Sequence, residues 1–105
     1  MSSGKKFDSG KAPVSLISSE ALLQEASVLA MGRDKYGAHN WRGGLEWTRV
    51  CDALLRHVLA WKDGEDLDPE SGLSHIAHAR ACTGFILEYI KTHPELDNRY
   101  KKVTN

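Results

Sequence analysis

The chain has 105 residues, with 14 Lys and Arg against 14 Asp and Glu and a formal net charge of +0 at pH 7. That length holds one domain, and because such a chain buries only about two-thirds of its unfolded surface, a simple three-helix core completed by dimerisation is expected. The balanced charge argues against a duplex-binding protein, which shows a basic excess or stripe, and no apolar run approaches the roughly 20 residues of a membrane span.

Residues 1–12 are polar and lack the apolar core of a secretion signal, so they read as a flexible N-terminal segment of a soluble, cytoplasmic protein. Val14 to Ile17, after Pro13, reads as an extended lead-in. The first helix is expected from Ser18 or Ser19, where a hydroxyl can accept from free backbone N–H groups and Glu20 suits the positive helix start. Leu22, Leu23, Ala26, Leu29 and Ala30 recur at helical spacing, and Gly32 is the expected stop. Arg33 to Gly44 reads as a loop, with Gly37, Gly43 and Gly44 as breakers.

A second helix is predicted from about Glu46 to Lys62. Trp47, Val50, Cys51, Leu54, Val58 and Trp61 form its apolar stripe, and Asp52 with Arg56 makes an i,i+4 pair on the other side. Asp68-Pro69-Glu70 carries a helix-start signal, with an acid at the cap and Pro at the first helical position. The third helix is predicted from there, or from Ser71, to Thr92, where His93-Pro94 stops it. It packs through Leu73, Ile76, Ala77, Phe85, Ile86, Tyr89 and Ile90, and Gly84 in its interior predicts a close neighbour. Residues 13–94 thus form one helical domain and 95–105 a charged tail. Cys51 and Cys82 lie in apolar helical contexts without CxxC spacing and read as small buried hydrophobes in a reducing compartment.

The chemistry-bearing residues concentrate between Lys35 and His78. Glu65, Asp68 and Glu70, with Asp66, fall within six residues at a helix junction, a pattern that suits a hard divalent cation held through oxygen. An N-capping role for Asp68 and a first-turn role for Glu70 is the plainer alternative. His75 and His78, three apart, share a helix face, and His57 can meet them across an antiparallel pair. Imidazole beside carboxylate suits a transition metal or proton transfer near neutral pH; hydrogen-bonded His at the edge of a core is the alternative. Lys35, Arg42, Arg49 and Arg56 are available to phosphate oxygens or are solvated surface charge. Tyr36 and Trp41 can stack on a base with Asn40 reading its edge, although Trp41 can equally plug the core.

The stretch KYGAHNWRGGLEWTRVCDALLRH…GEDLDPESGLSHIAHA resembles a small phage-encoded domain family, the dATP/dGTP diphosphohydrolases. The resemblance covers about Gly10 to Tyr89. It implies an all-α domain related to the MazG-like nucleotide pyrophosphohydrolases, working as a homodimer or higher homo-oligomer with Mg²⁺ or Mn²⁺, in the host cytoplasm if phage-encoded. Its substrates would be purine deoxynucleoside triphosphates such as dATP or dGTP, with no nucleic acid polymer or membrane as partner. On that reading Glu65, Asp68, Glu70 and His78 hold metal, Glu65, His75 and His78 are catalytic, and Lys35, Tyr36, Asn40, Trp41, Arg42, Arg56 and His57 bind substrate.

One departure stands out. MazG-like enzymes carry paired helical acids, ExxE followed by ExxD, whereas Glu65-xx-Asp68 here straddles Gly64 and Pro69, and the third helix offers His75-xx-His78 instead. That departure leaves an alternative: a non-catalytic sponge sequestering a nucleotide-derived immune signal of the cyclic dinucleotide or cyclic ADP-ribose type. A helical interaction protein is the remaining reading.

Overall fold

The structure, a computed structural model, describes residues 4, 5, 7 and 9–103. The expected flexibility of residues 1–12 therefore falls partly outside the described residues. Val14–Leu16 is a 3-10 turn, with Leu16 N–H bonded to Pro13 C=O at 3.0 Å, where an extended segment was expected.

Three α-helices follow: α1 (Ser19–Tyr36), α2 (Trp47–Lys62) and α3 (His75–Thr92). No strand occurs among the described residues, so the fold is all-α as the sequence predicts. No helix among them is long and apolar enough to cross a membrane. α3 lies in the middle. The Glu25–Arg80 ion pair at 2.8 Å and the Lys35–Glu70 pair at 3.6 Å lay α1 antiparallel along it. α2 runs antiparallel on another side, with Trp47 and Val50 clustered with Tyr89 at one end and His57 beside His75 and His78 at the other. A second cluster, Val28 with Ala77 and Ala81, seals α1 to α3 through small side chains. The close neighbour expected at Gly84 is Glu25: a Cβ there would meet its Oε2 at 3.1 Å.

α1 starts as predicted, with the Ser18 hydroxyl accepting from Ala21 N–H at 3.2 Å. It does not stop at Gly32. Nothing in Arg33 to Tyr36 breaks a helix, and an interior Gly costs only about 1 kcal/mol relative to Ala. The stop is Gly37, at φ 99°, whose N–H bonds Arg33 C=O. Lys35 and Tyr36 therefore occupy the last turn of α1 rather than a loop.

α2 begins at Trp47 without a cap from Glu46. The free N–H of Thr48 donates instead to Asn98 Oδ1 at 3.1 Å, and Asn98 Nδ2 donates to Glu46 Oε2 at 2.6 Å. Arg99 lies over the Trp47 ring at 5.0 Å, and Trp47 Nε1 donates to His93 C=O at 3.2 Å. Much of what the sequence offers as a charged tail thus packs on the start of α2. The chain needs Gly44 because its φ of 96° is strained for any residue with a side chain, and a Cβ there would also crowd the His93 ring at 3.0 Å. Two further expectations need correction. Asp52 and Arg56 form no ion pair among the described residues. Trp61 is 49 % exposed, since the pairing with α3 ends at His57 and His75, one turn short of it. Ile76 and Ile90 likewise lie exposed on α3.

Candidate functional site

The segment joining α2 to α3 is a closed turn. Gly64 at φ 103° carries the chain out of α2. Leu67 and Ser74 pair as an antiparallel bridge, with Asp68 N–H bonded to Leu73 C=O at 2.8 Å and His75 N–H to Asp66 C=O at 3.0 Å. The predicted helix start at Asp68-Pro69-Glu70 is not one. Asp68 Oδ1 accepts the Glu70 N–H at 2.8 Å, so the same signal builds an Asx turn. α3 begins later, at His75, with Ser74 Oγ accepting Ile76 N–H at 3.1 Å. This delay puts His75 and His78 in the first turn of α3, facing α2.

There they meet His57. Glu65 Oε1 lies 2.7 Å from His75 Nε2, and His75 Nδ1 lies 2.9 Å from His57 Nδ1. A carboxylate only accepts, so His75 Nε2 carries a hydrogen; a neutral His75 then accepts at Nδ1 from His57 Nδ1–H. The His57 and His78 rings stack, 4.5 Å between centroids and 4° between planes. Ser71 Oγ, 2.7 Å from His78 Nε2, also accepts the Leu73 N–H. Asp68 Oδ2 completes the group at 3.8 Å from His57 Nδ1 and 3.9 Å from His78 Nε2. One donor atom from each of His57, Asp68 and His78 lies within 4.8 Å of the others.

His75 and His78 are buried, and every buried side-chain polar atom among the described residues has a partner. Burial pushes His57 below the usual histidine range, and His78 adds to that while Asp68 opposes it. Burial lowers His78 too, again against Asp68. For Asp68, burial works against the carboxylate, but the Glu70 N–H and the imidazoles outweigh it and hold the group low. His57 and His78 are thus biased toward neutral imidazoles beside an ionised Asp68.

Of the residues singled out from sequence, Glu65, Asp68, His75, His78 and His57 come together. Glu70 pairs with Lys35 and acts on His78 only through its charge, with no ion pair or hydrogen bond to an imidazole among the described residues. Arg56, exposed, lies close enough to His57 and Cys82 to affect both electrostatically, and it forms no ion pair or hydrogen bond among the described residues. Arg42 is not part of the cluster. It pairs with Glu88 at 3.8 Å, and Glu88 lies ten residues beyond His78, about 15 Å along α3. Trp41 packs against Phe85 at 4.7 Å, under the Arg42 guanidinium at 4.5 Å, and its C=O accepts the Tyr89 hydroxyl. Its part is largely core. Sequence spacing carries no signal for Ser71.

A cavity of about 650 Å³ opens between the last turns of α1, the glycine-rich connection and the start of α2, lined by Val28, Tyr36, Asn40, Trp41, Arg49 and Phe85 among others. That volume is within the range of small-molecule sites. Tyr36 is 66 % exposed. Lys35, beside Tyr36, reaches Glu70, and Arg49 lies two α2 turns from Arg56 on the same face.

A family model described as dATP/dGTP diphosphohydrolase, N-terminal, matches residues 1–99. The chain belongs to this family. A dATP/dGTP diphosphohydrolase of Salmonella phage PMBT28 is 46 % identical over 96 residues. The match covers 91 % of this chain but 33 % of that protein, so the chain spans about a third of the length of this member of the dATP/dGTP diphosphohydrolase family. No solved structure matches.

Proposed function

We propose that this phage-encoded domain binds a purine deoxynucleoside triphosphate such as dATP or dGTP and, with a divalent cation, hydrolyses it to monophosphate and pyrophosphate. One observation carries the reading: His57, Asp68 and His78 converge within 4.8 Å beside an Arg56 that has no ion-pair partner among the described residues. The family membership and the phage relative's name support the same reaction class.

Of the two ions expected from the resemblance, Mn²⁺ fits this donor set of two nitrogens and one oxygen better than Mg²⁺. His57, Asp68 and His78 would hold it, and it would supply positive charge for a phosphate oxygen and an acidified water. Arg56 offers a forked pair of donors to phosphate oxygens. Tyr36 offers its ring to a base, and Asn40 its amide. Glu65 Oε1, 2.7 Å from His75 Nε2, would accept through His75 a proton from water as it attacks phosphorus.

The test is product analysis. dATP or dGTP incubated with the protein and Mn²⁺ should give deoxynucleoside monophosphate and pyrophosphate in equal amounts, and H78Q should abolish both. Absence of turnover with every purine triphosphate and divalent metal overturns the hydrolytic reading. The sponge reading is favoured by one feature, that α3 presents imidazoles where paired helical acids are expected. Heat-released ligand recovered unaltered supports it; a cleaved ligand removes it.

A further inference from the structure

We propose that the His57–Asp68–His78 group is a resident site for a borderline transition-metal dication, of the Mn²⁺, Fe²⁺, Co²⁺ or Zn²⁺ class, and that it discriminates against Mg²⁺. This deepens the reading above, because it assigns the ion of the same site, but it stands on donor chemistry rather than on any nucleotide.

Mg²⁺ demands near-ideal octahedral oxygen coordination and dehydrates reluctantly. The group offers it one carboxylate oxygen and two imidazole nitrogens, and nitrogen is a poor ligand for an ion that prefers oxygen. Imidazole suits the later first-row dications instead. The spacings agree. Ligand bonds of roughly 2.1 Å place neighbouring donors on the order of 3–3.5 Å apart, and Asp68 Oδ2 already stands 3.8 and 3.9 Å from the two nitrogens. A contraction of about half an ångström is within side-chain torsion.

One surrounding bond has the form of a metal site's outer layer. A ligating carboxylate is itself hydrogen-bonded. Asp68 Oδ1 is fixed by the Glu70 N–H, leaving Oδ2 for the group. The two ring nitrogens nearest Asp68 are themselves hydrogen-bonded, His57 Nδ1 to His75 Nδ1 and His78 Nε2 to Ser71 Oγ, so an ion would have to replace both bonds and would unstack the two rings.

The negative alternative within this segment is informative. Glu65, Asp66 and Glu70 are all exposed, and Glu70 faces Lys35. Among the described residues it is the donor atoms of His57, Asp68 and His78 that lie within 4.8 Å of one another. Mg²⁺ that arrives chelated by a triphosphate belongs to the substrate, not to this site.

The experiment uses the full chain, stripped with chelator and free of nucleotide, so its failure is distinct from failure of the hydrolytic reading. Equilibrium dialysis against Mn²⁺ with a roughly 100-fold excess of Mg²⁺, followed by elemental analysis, should return one Mn per chain. Co²⁺ should give the visible absorption of a nitrogen-ligated ion. H57Q and H78Q should lower Mn²⁺ affinity by more than the roughly 10–100-fold attributable to an outer-layer partner. If the histidine variants do not fold, D68N serves, because its amide oxygen keeps the Glu70 N–H bond. Mg²⁺ displacing Mn²⁺ at equal concentration overturns the proposal. So does D68N or H78Q binding Mn²⁺ as the parent does.

Discussion

Tyr89 is fully buried on α3, and its hydroxyl donates to Trp41 C=O across the core. Burial raises its phenol above the usual range, so it stays a donor. Removing that oxygen in Y89F leaves the Trp41 carbonyl without its partner in a desolvated place, which should destabilise the fold by about 1–3 kcal/mol in urea denaturation. The two arginines are separated the same way, by asking what each touches. Arg56 has no ion pair or hydrogen bond among the described residues and lies beside His57, whereas Arg42 is already engaged by His39, Trp41 and Glu88. A charged hydrogen bond to phosphate corresponds to about 1.5–3 kcal/mol. R56A should therefore raise the KM for nucleotide by roughly 10–100-fold, and R42A should have the smaller effect on KM. Steady-state kinetics on the two variants reads the difference, and the reverse order removes Arg56 from the phosphate site.

At the scale of the element, the start of α2 depends on a segment fifty residues away. Asn98 supplies the cap, and Asp97 and Arg99 hold it in place through paired bonds of 2.9 and 3.0 Å. The Arg99 guanidinium holds the Asp97 carboxyl well below the usual carboxylate range, with burial opposing it. A depressed carboxylate stabilises the fold above its unfolded pKa near about 3.9, and that contribution fades as pH falls below it. Parent and D97N should therefore differ most in denaturation midpoint at about pH 6, with the gap narrowing steadily as pH falls below about 4. A gap that persists unchanged in acid contradicts this linkage.

None of that docking is legible in the sequence, because it depends on contacts between residues far apart in the chain. What periodicity and capping encode locally was legible: three helices, the Ser18 start, the Thr92 stop, and the meeting of His57 with His75 and His78. The two misread boundaries have a common cause. Gly32 and Asp68-Pro69-Glu70 are signals compatible with more than one local structure, and the neighbouring backbone bonds decide which forms. The shift of the α3 start from residue 68 to His75 decided which acids reach the imidazoles: Asp68 and Glu65 do, and Glu70 does not.

Over the whole molecule, α1 and α2 share α3 as a common floor, with the cavity opening between them. α1 is tied to α3 by the Glu25–Arg80 and Lys35–Glu70 pairs and by the small-residue cluster around Val28, while Leu22 and Leu23 stay exposed. α2 has the larger apolar seam, with Trp47 and Val50 in the cluster that contains fully buried Tyr89. Segments with fewer buried apolar contacts open at lower free energy. Amide hydrogens of α1 should accordingly exchange with deuterium sooner than those of α2 and α3 at one pH and temperature.

The Gly37 stop has a mechanical consequence. It ends α1 at the rim of the cavity, with Tyr36 on the final turn and a flexible glycine immediately behind it. A molecule wedged between Tyr36 and Arg49 would fasten two helices that otherwise meet by way of a third, so occupancy should be felt as stiffening along α1, not merely as coverage of the residues touched.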